Sequence, residues 1–206
     1  MNGTTKMNTQ SVKAEMLYVG KMPEEVVDAL LQSYDDKQKS GIVELNPNGE
    51  FDPEGSNSYR NVVPYYIEEP EHIGYQYLKE LADLYTEETN VRWDSLDLMT
   101  IMEYPVGGLY ADHTDWSLVD DGCNLTEPFD EFEGYRKISF IAQLSEPDTY
   151  EGGDVRIWLD GKALILPKDR GTICAFPSFN LHAVTPITSG KRLSMVSWVL
   201  GNENWI

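Results

Sequence analysis

A chain of 206 residues with 35 acidic and 16 basic side chains, net charge -19, has room for one domain with a substantial core inside an acidic surface. Nucleic-acid binding draws on Lys and Arg to neutralise phosphates, so a general DNA or RNA partner is disfavoured and a basic peptide or protein is favoured. No apolar run approaches the roughly 20 residues of a membrane-spanning helix, Met1 to Gln10 is polar, and Cys123 and Cys174 form neither a disulfide framework nor a C-x-x-C motif, which implies a soluble cytoplasmic protein with free thiols.

Residues 1–15 have no apolar period and read as a mobile arm ahead of a single domain over 16–206. Met16 to Val19 suits a short strand. Pro23-Glu24-Glu25 opens a helix whose buried stripe is Val26, Val27, Leu30, Leu31 and Tyr34, ending near Asp35 to Gly41. Gly41 to Tyr66 holds turn-forming clusters between short extended pieces and reads as a long hairpin or loop. Glu69-Pro70-Glu71 repeats the helix-start signal, with Ile73, Tyr77, Leu78, Leu81, Leu84 and Tyr85 as a second buried stripe and His72 in a capping or solvent-facing role.

From Asp94 the pattern turns to strands. Leu96, Leu98, Thr100 and Met102 alternate with Asp97, Met99, Ile101 and Glu103, and Pro105 to Gly108 makes a turn into a strand over Leu109 to Asp115. Ser117 to Gly134 has six acids and no base, and is expected to be a solvated loop. Tyr135 to Leu144, Asp154 to Leu159, Arg170 to Phe176, Leu181 to Thr185 and Arg192 to Leu200 complete the series, with Asp160-Gly161 as a hairpin signal. Two helices followed by about eight strands imply an α+β, mainly β domain, a sandwich or barrel with helices on one side.

The candidate chemistry starts at His113-Thr114-Asp115. Residues two apart on a strand point the same way, so His113 and Asp115 can share one metal ion, with His182 as a third ligand. Two imidazoles and a carboxylate form a facial triad that leaves three positions open and suits oxygen-activating non-haem Fe(II). The spacing further predicts a hairpin turning at Pro186 to Gly190, with Arg192 roughly 10 Å along the sheet from His182. A five-carbon dicarboxylic acid spans that gap, with its 2-oxo acid end on the metal and its distal carboxylate on Arg192, while Ser194 shares the arginine's face and adds a hydroxyl.

His113-x-Asp115, then His182, then a basic residue ten positions later resembles the signature of the Fe(II)/2-oxoglutarate-dependent dioxygenases. Tyr104-Pro105, Tyr110 to Asp115, Gln143-Leu144-Ser145, Tyr150 to Asp154, His182 to Pro186 and Gly190 to Arg192 are similar to the prolyl-4-hydroxylase branch, and in particular to its short bacterial and phage-encoded members. That resemblance implies a double-stranded β-helix (jelly-roll) core with two N-terminal helices on one side. It also implies Fe(II) held by His113, Asp115 and His182, with 2-oxoglutarate on Arg192 and O2 as the oxidant. Tyr104 and Tyr110 would line the cosubstrate pocket, and ascorbate would serve as reductant. Gln143 stands where many relatives have a cosubstrate-contacting tyrosine, which puts that one contact in doubt. The segment Gly41 to Tyr66, with Arg60, corresponds to a finger that folds over substrate, and Trp116 and Trp198 border the groove.

The implied reaction hydroxylates an unactivated C-H, first of all in a prolyl residue of a peptide or protein, releasing succinate and CO2. If the chain is virus-encoded, the host cytoplasm would be its location. A free amino acid is the alternative substrate, and a non-catalytic metal-binding jelly-roll module is a third reading. Nucleic-acid demethylation is disfavoured, because that group uses a second arginine beyond the cosubstrate one and no Lys or Arg follows Arg192 here.

Overall fold

The computed structural model describes residues 16–40, 59–119 and 134–202. The expected arm over 1–15, residues 41–58 of the expected finger, residues 120–133 of the acidic loop and Cys123 lie outside the described residues. The first half of the chain contains β1 (Tyr18–Lys21), α1 (Glu24–Ser40), β2 (Arg60–Asn61), β3 (Val63–Ile67), α2 (Ile73–Thr89), β4 (Ser95–Leu96), β5 (Met99–Tyr104) and β6 (Leu109–His113). The second half contains β7 (Leu118–Val119), β8 (Gly134–Gln143), β9 (Tyr150–Gly152), β10 (Val155–Leu159), β11 (Lys162–Ile165), β12 (Thr172–Pro177), β13 (His182–Val184), β14 (Ile187–Gly190) and β15 (Arg192–Gly201).

Both helices form near where the apolar period places them, but the buried face of α2 is rotated from the expected stripe: Ile73 and Leu84 are exposed, while Gly74, Tyr75 and Ala82 join Leu78, Leu81 and Tyr85 in the core. In α1, Glu24 and Glu25 occupy the first turn and Lys37 and Lys39 the last, each sign matched to the helix dipole. The second helix starts at Ile73 rather than at Pro70, because His72 caps it: its Nδ1 accepts the Gly74 N-H at 3.0 Å. At the other end Asn90 takes the left-handed conformation, φ 61°, and its N-H closes on Thr86 O.

A large antiparallel sheet runs β1-β12-β8-β15-β5-β3, and a smaller one runs β11-β10-β13-β6-β2. The helices cover the outer face of the large sheet, where Val27, Leu30, Leu78 and Ala82 meet Ile101, Phe140, Ala142 and Met195. Its inner face packs against the small sheet, with Met102, Tyr104, Ile141 and Phe176 against Val155, Ile157 and Val184. Both faces of the large sheet are therefore buried. This overturns the polar and apolar alternation expected around 96–103: Met99 and Ile101 face the helices and Met102 and Tyr104 face inward. On β15 the same alternation sends Leu193 and Met195 to the helices and turns Arg192 and Ser194 toward the interior.

The expected hairpin from His182 to Arg192 does not form. Strand β13 belongs to the small sheet and β15 to the large one, while β14 between them pairs with β9 at the corner. The physical reason lies in that corner, where Gly152, Gly153 and Gly190 adopt positive φ of 78°, 65° and 74° and let two backbones approach. A Cβ on Gly152 would run into the Pro186 carbonyl oxygen. Gly152→Ala is therefore expected to lower stability by about 2 kcal/mol or more, read as a shifted urea midpoint at unchanged slope. The Asp160-Gly161 turn does form the predicted hairpin, with φ of 47° and 75° and Leu159 paired to Lys162.

Candidate metal centre and its cavity

His113 ends β6 and lies directly across from His182, which begins β13. Asp115 lies two residues past the end of β6, where its N-H and that of Trp116 both donate to Ser178 O, at 2.8 and 3.0 Å. The backbone beyond the strand is thus anchored, and the carboxylate turns back between the two imidazoles.

Each ring is fixed at its far nitrogen. His113 Nδ1 lies 2.7 Å from Ala111 O and His182 Nδ1 lies 2.9 Å from Asn180 O. A carbonyl only accepts, so both Nδ1 atoms carry the proton and each Nε2 faces Asp115, at 3.5 and 3.2 Å. Tyr110 stacks on His113 at 3.6 Å and 13°, and Phe176 meets His182 edge-on at 5.0 Å. The three ligand atoms lie within 4.8 Å of one another. Burial alone would raise the Asp115 carboxyl, but the two imidazoles beside it, which donate to it when protonated at Nε2, outweigh that and hold it well below the usual range; when neutral they turn lone pairs toward the same point. Burial would likewise lower His182, and the Asp115 contact reverses that to a net rise. Two lone pairs and a carboxylate converging in a buried space suit a divalent cation, and this donor set suits Fe(II).

Ser139, which the sequence reading missed, donates to Asp115 Oδ2 at 2.7 Å and shares a 2.9 Å contact with the buried Ser178 hydroxyl. A lone serine facing inward in the apolar run Ile138 to Ala142 is the sequence signal that could have found it. Groups that orient metal ligands typically carry 10- to 100-fold in metal affinity. Ser139→Ala should weaken Mn(II) binding by about that factor, and Ser139→Thr should restore most of it, both read by calorimetry.

His113, Asp115 and His182 open on a cavity of about 370 Å³ that is also lined by Tyr104, Tyr110, Arg192, Ser194, Arg60 and Trp198. Arg192 is fully buried, and among the described residues no carboxylate lies within ion-pair distance of it. Its Nη1 donates to Ser194 Oγ at 3.2 Å, and its guanidinium lies 4.9 Å from the Tyr104 ring. Burial pushes the Tyr110 phenol up to about 12, so it stays neutral against the imidazole. Of the predicted residues, Gln143 and Trp116 do not line the cavity. Gln143 sits behind Arg192, and Trp116 stacks on Tyr135 at 5.0 Å. Arg136, also missed, lies 3.8 Å over the Trp198 ring and pairs with the buried Asp97 at 2.8 Å. Cys174 is a buried free thiol.

The model of the 2OG-Fe(II) oxygenase superfamily matches residues 99–200, a segment that contains the triad and Arg192. A PKHD-type hydroxylase of Synechococcus sp. (strain CC9605) is 40% identical over 81 residues, 38% of this chain and 35% of that protein. Another, from Picosynechococcus sp., is 32% identical over 120 residues, 58% of this chain and 48% of that protein. The chain thus spans half or less of the length of these relatives. Among solved structures, a Pseudomonas putida prolyl-4-hydroxylase superposes with a TM-score of 0.66 at 22% identity, over 92% of this chain and 94% of that one. A Trichoplax adhaerens prolyl hydroxylase in complex with a hypoxia inducible factor peptide fragment gives 0.65 at 16% identity, over 90% and 84%. These two share the fold, and with it the double-stranded β-helix that the two sheets describe. By its matched segment and the donor set that segment carries, the chain belongs to the 2OG-Fe(II) oxygenase superfamily, and it shares the fold of the prolyl-4-hydroxylase structures.

Proposed function

We propose that the chain is an Fe(II)- and 2-oxoglutarate-dependent dioxygenase that hydroxylates a prolyl residue in a peptide or protein. One observation carries this reading: three convergent metal-ligand side chains and a buried, uncompensated guanidinium line the same cavity. In it, His113, Asp115 and His182 hold the iron, and the distal carboxylate of 2-oxoglutarate pairs with Arg192. Ser194 adds a hydroxyl donor, and Tyr104 and Tyr110 wall the space between. When bound, Fe(II), 2-oxoglutarate and O2 supply an oxidative decarboxylation, yielding succinate and CO2, that drives hydroxylation of a C-H bond. The protein's own part is to orient these groups and to exclude water around them.

A burial cost supports the assignment of Arg192. An uncompensated charge in the interior is unfavourable by several kcal/mol, and an arriving carboxylate removes that penalty while making bidentate contacts. The peptide substrate is supported by the fold shared with prolyl hydroxylases, one of them in complex with a peptide. A basic peptide is favoured by the net charge of -19. No described helix is long and apolar enough to cross a membrane.

Arrays of proline peptides, supplied with Fe(II) and 2-oxoglutarate and scored by a 16 Da gain with matching succinate, test the reading. Hydroxylation of basic peptides is expected. Equal activity on acidic and basic peptides would remove the electrostatic argument, and turnover confined to free amino acids would replace the peptide substrate.

A further inference from the structure

The guanidinium of Arg192 is held from behind by an uncharged group. Its Nε and Nη2 donate to the single side-chain oxygen of Gln143, at 3.0 and 2.8 Å. Beyond the bond to Ser194 and a contact with the Tyr104 hydroxyl, the terminal nitrogens keep an N-H for an acceptor in the cavity. The arginine stem passes over Gly153, where a Cβ would come within 3.0 Å of its Cδ. Gln143 is itself buried, 2% exposed, and its amide nitrogen points the other way, toward Pro167 O.

A carboxylate is the usual partner for a two-point contact on a guanidinium. Gln143 has that shape without the charge. We propose that Gln143 is a positioning residue: its amide oxygen aims Arg192 into the cavity and leaves the positive charge uncompensated for the distal carboxylate of the cosubstrate. The inference rests on the reading of Arg192 given under Proposed function. Its chemical content is that neutrality at position 143 matters as much as hydrogen bonding. A glutamate there would keep both contacts and become an internal competitor for the cosubstrate.

The test compares the parent with Gln143→Glu and Gln143→Leu, each loaded with Mn(II) without oxygen and titrated with 2-oxoglutarate and with 2-oxobutyrate. The second acid keeps the 2-oxo acid group and lacks the distal carboxylate. Gln143→Glu is expected to bind Mn(II) as the parent does and to melt no lower. It should lose at least about 100-fold in affinity for 2-oxoglutarate, because the buried pair it forms must be broken. Its affinity for 2-oxobutyrate should stay within about threefold, since a group that competes only for Arg192 leaves the metal end untouched. Gln143→Leu keeps the charge and loses the aim, so about a tenfold loss confined to 2-oxoglutarate is expected. A folded Gln143→Glu protein that binds 2-oxoglutarate like the parent, or that loses both acids equally, overturns the proposal. Where that variant fails to fold, the leucine variant decides by the same two outcomes. A parent that binds Mn(II) but does not distinguish the two acids refutes the Arg192 assignment itself, and the proposal with it, before any variant is made.

Discussion

Asp115→Ala and His113→Ala should each abolish 2-oxoglutarate turnover and weaken Mn(II) binding by more than about 100-fold. The lower bound follows from the ligands' surroundings: outer partners such as Ser139 carry 10- to 100-fold, and removal of an inner donor costs more. The two variants should differ in stability. Without Asp115 the facing Nε2 atoms lose the carboxylate that lies 3.5 and 3.2 Å away, and Ser139 loses its acceptor. Without His113 the loss is the ring stacked on Tyr110 and its bond to Ala111 O. Calorimetry with Mn(II), together with succinate release in the absence of any peptide, checks the pair. Succinate formation that persisted unchanged in both variants would sink the assignment of the metal centre.

Arg192→Met should raise KM for 2-oxoglutarate by about 100-fold or more while leaving the melting temperature within a few degrees of the parent. The side chain is fully buried, and its charge has no partner of opposite sign among the described residues. Replacing a buried charge by an apolar group of similar volume is commonly neutral or stabilising. Against that gain stand the three hydrogen bonds lost, two at Gln143 and one at Ser194, about 1 kcal/mol each. The two effects oppose each other in the folded protein, whereas the cosubstrate loses its counter-ion outright. A structural arginine would show the reverse: a collapsed melting temperature with an unchanged KM in the protein that survives. Initial rates across 2-oxoglutarate concentrations and a thermal melt of the same preparation separate the two.

Local signals in the sequence carried the elements well. The stripe of the first helix and the Asp160-Gly161 hairpin follow from nearest-neighbour chemistry, and the structure has both, whereas the stripe of the second helix holds only at Leu78, Leu81 and Tyr85, with Ile73 and Leu84 exposed. What local pattern could not carry was the partner of each strand. The run from His182 to Arg192 reads equally as a hairpin and as a passage between sheets, and only the pairing of β14 with β9 decides it. The alternation around Met99 failed for a related reason, since a strand covered on both faces has no polar side to display. At the candidate site, residues whose chemistry is rare in a core were legible: His113, Asp115, His182 and Arg192. Ser139, Asp97 and Arg136 were not, because their roles come from what they meet across the interior. Gln143 stands in sequence at a cosubstrate-contacting position with the contact in doubt, and its place behind Arg192 depends on which face of β8 turns toward β15.

The passage between sheets has a metrical consequence. Two imidazoles stand on the small sheet or at its edge, while the guanidinium stands on the large one. A dicarboxylic acid held at both ends is therefore measured by the gap between layers, as by the jaws of a caliper, and not by steps along one ribbon. The hinge of that caliper is the glycine corner where β14 meets β9. On the proposed assignment of Arg192, tolerance for shorter or longer acids would then be set at that corner rather than at the donors themselves.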